Sequence, residues 1–443
     1  MPLKPTLRSI ATERMTNDKA AKRPPLMSLD EALSLVLKEV TVLTHTEWVK
    51  TFEADGRVLS HDLVSGLQVP PQDNSAMDGF ALRTEDVLVA GQTLKVTQRI
   101  PAGSQGTPLQ ACEVARIFTG APIPQGANAV VMQEDTAALT QESESIDGSY
   151  FIKVNVLPRL GQWIRRSGED VTSGSVVLPA GSYLKPASLG LAASIGAAQL
   201  RVKRKPRVAL FSTGDELVMP GDIAPENMRP GAIYNSNRFF LTALLLRSGC
   251  EVTDLGIVPD SLEATLQVLQ RAASDHDLIL TSGGVSVGEE DHVKPAVEQL
   301  GKLHLWQISM KPGKPFAFGH LDNPQSESSP QTFFMGLPGN PVSSFVTYQL
   351  LVKPFLCALQ GGQKIHTAPY LLEAHFDLPQ PDKRREFLRV KRNAQGGLDL
   401  FPNQSSGVLT SAVWADGVVD NPALQPIEHG KLVHFYPFSE WSA

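Results

Sequence analysis

Near the start of the chain apolar residues recur at helical spacing: Leu29, Leu33, Val36, Leu37 and Val40 follow the capping-box pattern of Ser28-Leu29-Asp30-Glu31. This predicts a helix over about 28–40. After the turn at Asp55-Gly56, a short helical or extended piece leads through Val64 to Val69-Pro70-Pro71, where the paired prolines stop regular structure. From 66 to 150 the apolar runs are short and alternating, as in Thr93-Leu94-Lys95-Val96 and Ala129-Val130-Val131-Met132, and glycine-proline turns break them; the pattern predicts a small, mostly β module. Residues 151–205 return to mixed strands and loops, with a helix predicted from Pro186 to about Ile195 and stopped at Gly196. The chain leaves the 26–65 segment and comes back at 151, so the module reads as an insertion.

Residues 206–358 have another rhythm, in which β-branched runs alternate with helical stretches of about ten to fifteen residues, the signature of a parallel sheet. Strands are predicted at 208–211, 252–258, 278–280, 303–308 and 333–335, and helices at 238–247, 261–273, 292–300 and 343–356. Asp260 to Glu263 reads as a second capping-box start, and Asp291 as the cap of the next helix. Ligands of open α/β sheets bind beyond the carboxyl ends of the strands. Those ends carry Thr213-Gly214-Asp215-Glu216, Pro259-Asp260, the 281–291 loop, Lys311-Pro312-Gly313-Lys314-Pro315 and Leu337-Pro338-Gly339-Asn340-Pro341. Residues 320–331 read as a surface hairpin, and 359–443, which alternate and turn often, as a small terminal β domain. The fold class expected is a multidomain α/β and mainly-β chain around a doubly wound α/β domain.

Composition narrows the function. A length of 443 residues suggests roughly three units at about 150 residues each. The net charge of −6 gives no global basic field, which argues against nucleic acid as the main partner. Cys112, Cys250 and Cys357 are few and widely spaced, as suits free thiols in a reducing cytosol, and no window offers about 18 uncharged apolar residues, so no membrane span is expected. Residues 1–25 carry Lys4, Arg8, Arg14, Lys19, Lys22 and Arg23 without an apolar core and read as a mobile tail. A cytoplasmic location is expected.

The loop Thr281-Ser282-Gly283-Gly284-Val285-Ser286-Val287-Gly288-Glu289-Glu290-Asp291 joins a glycine-rich anion cradle to three carboxylates. Its glycines let backbone amides approach a phosphate, and its acids are hard oxygen donors for magnesium. Asp215, Glu216, Asp260 and Asp291 are placed around the same edge, where a cation would make their charge tolerable. Lys311 and Lys314 flank a Pro-Gly turn and suit a phosphate clamp. Three further polar runs lie far from the sheet in sequence: 73–80 with Asp73 and Asp78, 119–122 beginning with Thr119, and 165–170 ending in Asp170. No Ser-His-Asp or Cys-His order stands out, and His292 reads as a helix-face residue.

Together these segments resemble the molybdopterin molybdenumtransferase family, which is similar to the carboxy-terminal part of gephyrin. The resemblance rests on seven motifs in the family's order: 73–81 (Asp-Asn-Ser-Ala-Met-Asp-Gly-Phe-Ala), 119–122 (Thr-Gly-Ala-Pro), 168–170 (Gly-Glu-Asp), 212–216 (Ser-Thr-Gly-Asp-Glu), 281–288, 311–315 (Lys-Pro-Gly-Lys-Pro) and 336–341 (Gly-Leu-Pro-Gly-Asn-Pro). It implies a molybdopterin-binding domain at 206–358, a barrel-like β domain at 359–443, and a homodimer in which Asp78, Thr119 and Asp170 complete the partner's site. The reaction implied takes adenylylated molybdopterin and molybdate to the molybdenum cofactor, with magnesium-dependent release of AMP. Asp78, Asp170, Glu216, Asp260 and Asp291 would be catalytic, the last three also binding metal. Thr119, Ser282, Gly283, Gly284, Ser286, Gly288, Lys311, Lys314, Pro338 and Pro341 would bind substrate, and Arg389 and Ser406 molybdate. Contacts with a molybdopterin adenylyltransferase and with molybdoenzyme chaperones are implied as well. The rival readings are an adenylyltransferase and a non-catalytic dimeric scaffold.

Overall fold

The structure is a computed structural model that describes residues 26–139, 150–285, 291–323, 331–363 and 368–441. The 1–25 tail, Ser286, Gly288, Glu289 and Glu290 lie outside the described residues.

Strands Arg207–Thr213, Glu251–Val258, Leu278–Ser282 and Gln331–Leu337 run parallel, with 251–258 at the edge, then 207–213, 278–282 and 331–337. The sheet is mixed rather than wholly parallel. Strand Ala317–Asp322, which the sequence pattern did not predict, is antiparallel to 331–337, and Gly301–Trp306 pairs with its far side. The hairpin is present as expected, Asp322 opposing Gln331, with 324–330 outside the described residues.

Central strands read as continuous apolar runs because helices cover both sheet faces. Successive residues point to opposite sides, so Leu210, Leu278, Leu280 and Met335 join one core while Ala209, Phe211, Ile279 and Phe334 join the other. Helices Ser236–Arg247, Leu262–Asp275, Val293–Leu300 and Pro341–Leu359 supply the covering layers, the last with a π turn at Tyr348–Val352. That last helix is long and apolar enough to cross a membrane, but most of it is buried in the domain core.

Two helix starts differ from expectation. Ser261, not Asp260, caps the 262–275 helix by accepting the Ala264 amide at 3.3 Å. Asp291 is not the N-cap of the next helix, which begins at Val293 behind His292. Asp260 and Asp291 both line the pocket described below.

The predicted amino-terminal helix is Leu29–Lys38, with its capping box formed: Ser28 Oγ accepts the Glu31 amide at 3.3 Å and Glu31 accepts the Ser28 amide at 2.8 Å. Its apolar stripe, Leu29, Ala32 and Val36, packs into the α/β core, so this helix is structurally part of that domain rather than of the segment that follows it in sequence. Thr46–Lys50 pairs with Gln199–Lys203, Leu63–Val64 with Val176–Leu178, and Asn74–Ser75 with Ile164–Arg165, all antiparallel. The outgoing and returning chains thus lie side by side. Between them a six-stranded sheet is built from residues 79 to 154; strand Tyr150–Val154 belongs to it, so the module's sheet reaches past 150. The carboxy-terminal sheet recruits a strand from the α/β domain, Met310–Lys311, which lies parallel to Arg385–Arg392.

Candidate functional site

A pocket of about 770 Å³ opens at the carboxyl edge of the parallel strands. Thr213, Gly214 and Glu216 line it from one strand end, Asp260 from the next, Ser282, Gly283, Gly284, Val285 and Asp291 from the third, and Pro338 to Pro341 from the fourth. Pro315 enters just before the antiparallel strand, whose first residue opposes Gly336 at this same edge. Topology therefore brings together loops that the sequence scatters over more than a hundred residues.

Gly283 and Gly284 have φ values of 96° and 65°, a region that side chains disfavour. A Cβ on Gly283 would lie 2.7 Å from the Thr213 carbonyl oxygen, so the loop presses against the end of the neighbouring strand. The Gly283 amide is tied to the Leu337 carbonyl at 3.0 Å. Gly283→Ala is expected to displace the loop and weaken substrate binding by about 10-fold or more, with a stability loss on the order of 1–3 kcal/mol from the strained φ. Affinity measurements with a parallel urea titration check this; unchanged affinity would remove the loop from the binding surface.

Asn237 was not singled out by the sequence pattern. It is buried, and its Nδ2 donates to Ser282 Oγ and to the Gly339 carbonyl, both at 2.7 Å, so one amide couples the glycine loop to the Pro338–Pro341 loop. Its only signal was an Asn-Ser-Asn run at a helix start.

Glu216, Asp260 and Asp291 all line the pocket. Asp215 and Asp260 clasp reciprocally, each backbone amide donating to the other's carboxylate at 3.1 and 3.3 Å. Burial raises the Asp260 pKa, and the negative charges of Asp215 and Glu216 raise it further. Among the described residues no Lys, Arg or His lines the pocket. Glu216, Asp260 and Asp291 are the side chains there that could hold a cation.

The expected lysine clamp is not in this pocket. Because Met310–Lys311 is recruited to the carboxy-terminal sheet, Lys311 Nζ is held by Glu386 at 2.9 Å and Asp382 at 3.3 Å. Lys314 does not line the cavity either, though Pro315 does. Arg389 is 1% exposed and donates to Ser411 Oγ, the Phe387 carbonyl and the Ser405 carbonyl; burial lowers its pKa to about 10. It braces the carboxy-terminal domain from inside, which a surface molybdate ligand would not do. Ser406 does not line the pocket; its backbone carbonyl accepts the Val342 amide at 3.0 Å. The carboxy-terminal domain reaches the pocket through Gly407 and Leu409, for which the sequence offered no signal.

Asp78, Thr119 and Asp170 form no part of this wall. They lie at the junction of the inserted module and its flanking strands. Asp78 Oδ1 accepts both the amide and the hydroxyl of Thr119 at 2.7 Å, and these two bonds, amide first, lower the Asp78 pKa. Asp73 accepts the Ser167 amide at 2.8 Å and pairs with Arg166 at 2.6 Å, which draws the 165–170 run against the 73–80 run. Asp170 is exposed, and its amide donates to the Val69 carbonyl at 2.9 Å. The chain thus presents two polar groupings, the pocket and this second patch.

Residues 27–196 match the MoeA N-terminal region (domain I and II), residues 209–358 a probable molybdopterin binding domain, and residues 372–438 the MoeA C-terminal region (domain IV). The chain is 40% identical over 403 residues to a molybdopterin molybdenumtransferase of Haemophilus influenzae, covering 89% of this chain and 93% of that one. It is 36% identical over 387 residues to a protein of the same description from Nostoc sp., covering 85% of each. The crystal structure of a molybdopterin biosynthesis moeA protein from Pyrococcus horikoshii OT3 is similar at a TM-score of 0.77 and 28% identity, over 93% of this chain and 99% of that one.

Proposed function

Because the chain belongs to the molybdopterin molybdenumtransferase family, transferases that insert molybdenum into molybdopterin, we propose that its substrates are adenylylated molybdopterin and molybdate and that AMP is released as the metal enters. The observation that carries this reading is the pocket itself, where a glycine loop and three carboxylates line one cavity and, among the described residues, no cationic side chain does.

Phosphate oxygens would meet the glycine loop at Gly284, the Gly283 amide being tied to the Leu337 carbonyl and the loop held in place by Asn237 and by the contact with Thr213. The three acids would repel such a ligand unless a cation intervenes. Magnesium fits this donor set: Asp260 and Glu216 offer hard oxygens from facing loops, with Asp291 on the third side. Among the described residues no group of three such side chains is close enough to hold a metal ion by itself, so a bound magnesium would need water and phosphate oxygens as further ligands. Bound there, magnesium would offset the negative charge on the phosphate chain. The acids would position the anhydride only through such a cation.

Molybdate is a dianion and needs its own donors. With Arg389 buried, molybdate is proposed to sit where Gly407 and Leu409 approach the start of the 341–359 helix. The second patch, with Asp78, Thr119 and Asp170, is proposed to serve the pocket of a partner subunit. Large exposed apolar side chains in the amino-terminal and inserted parts, Phe52 at 97% and Leu160 at 75%, support association through that part of the chain.

The test is AMP release from adenylylated molybdopterin by the purified protein with magnesium, with and without molybdate, alongside assay of the molybdenum-loaded product. Molybdate-dependent release with product formation is expected. Pyrophosphate formed from ATP and free molybdopterin, with no AMP release, would instead identify an adenylyltransferase.

A further inference from the structure

Leu217–Val218 pairs in parallel with Ile233–Tyr234, and the Asn235 amide donates to the Val218 carbonyl at 2.9 Å, which makes a small two-stranded flap beside the pocket. Leu217 and Ile233 oppose each other in register, both line the pocket, and Ile233 is 54% exposed. Tyr234 is pinned by its hydroxyl, which donates to the Ile223 carbonyl at 2.7 Å. The flap therefore offers the pocket an apolar surface.

Asn235, the next residue, lines the same wall yet is only 2% exposed. Its Oδ1 caps the 236–247 helix by accepting the Arg238 amide at 3.2 Å, which fixes how the carboxamide is turned. That leaves Nδ2, which is buried and has no acceptor among the described residues. A buried amide donor without an acceptor is rare and costly. Asn237, two residues on, has both Nδ2 hydrogens engaged, so the same loop elsewhere satisfies its amide fully.

We propose that the Leu217/Ile233 face and the Asn235 amide together form a subsite for a planar heterocycle, the ring resting on the apolar flap while Nδ2 donates to a carbonyl or nitrogen on its edge. This deepens the reading above and rests on it, because adenylylated molybdopterin carries two such rings, adenine and pterin. A neutral carboxamide matches a neutral ring acceptor, whereas the phosphate chain is better served by the glycine-loop amides. Nδ2 lies just beneath the wall, and displacement of a strand pair only two residues long brings the ring edge to it.

The experiment compares Asn235→Ser and Asn235→Asp with wild type. Both substitutes are good helix caps, but neither carries the amide donor. Affinities for AMP, by calorimetry with magnesium, and for molybdopterin, by fluorescence, are measured separately beside the melting temperature. The expected result is a roughly 5- to 30-fold loss of affinity for one ligand in Asn235→Ser, with the other ligand and the melting temperature unchanged. The ligand that is lost identifies the ring, and Asn235→Asp is expected to lose the same one. Affinities equal to wild type, or an equal loss for both ligands, would overturn the subsite. Wild type is the control for the parent reading: without molybdate-dependent AMP release that reading fails, whereas an active wild type with an indifferent Asn235→Ser sinks this inference alone.

Discussion

Asp260→Asn is expected to lower molybdate-dependent turnover on the order of 100- to 1,000-fold while leaving the protein folded and, at neutral pH, somewhat more stable. The two effects share one cause. The Asp260 carboxylate is partly buried beside Asp215 and Glu216, so ionising it is unfavourable in the folded chain and its pKa is raised. With the folded pKa above the unfolded one, the folded state holds the proton more tightly. Wild-type stability therefore falls as pH rises from the ordinary carboxylate value through the raised one, and is level above it. Asn removes that fall but keeps an oxygen to accept the Asp215 amide. Thermal melts in metal-free buffer should show the variant gaining on wild type across that window and no difference at lower pH. An Asp260→Asn protein with full turnover would take this carboxylate out of the chemistry; one that is less stable at neutral pH would make it a structural group.

Mixing Asp78→Ala with Asp260→Asn, each inactive alone, is expected to restore roughly a quarter of wild-type activity, because random exchange makes half the dimers mixed and each mixed dimer holds one intact site of two. The expectation comes from the two polar groupings. Asp78 and its Thr119 partner share no wall with the pocket that contains Asp260. If they act in one reaction, the pairing is most simply made between subunits. Exchange verified with differently tagged chains, yet with no recovered activity, would rule out the shared site. Loss of the dimer in Asp78→Ala would show that the residue serves assembly instead.

The parallel strands were legible because burial on both faces leaves a run such as Leu278-Ile279-Leu280 with no polar face, and that pattern survives without tertiary information. The pocket carboxylates were legible for a related reason: strand ends are fixed by the apolar runs, and chemistry follows at those ends. The missed strand 317–322 begins Ala-Phe-Gly-His, a pattern too irregular for a period-two signal, and it is set by pairing on both sides. Lys311 was misplaced because nothing local announces that two residues of one domain will join another domain's sheet. Arg389 was assigned to molybdate by the resemblance alone; its burial, which three surrounding oxygen acceptors make tolerable, has no signature in the local sequence. Asn235 and Asn237 stood in view, but which amide is satisfied depends on loops up to about a hundred residues away.

The packing of the 29–38 helix against the 341–359 helix bears on how the chain is made. Leu29, Ala32 and Val36 emerge from the ribosome early, yet the surface that covers them is synthesised more than three hundred residues later. At about 5–20 residues per second, this stripe stays uncovered for tens of seconds. The inserted sheet, closed within residues 79–154, can meanwhile complete itself. The α/β domain therefore cannot close around its first helix before residues 341–359 are made, and until then only the brevity of a ten-residue helix limits its chance of finding the wrong partner.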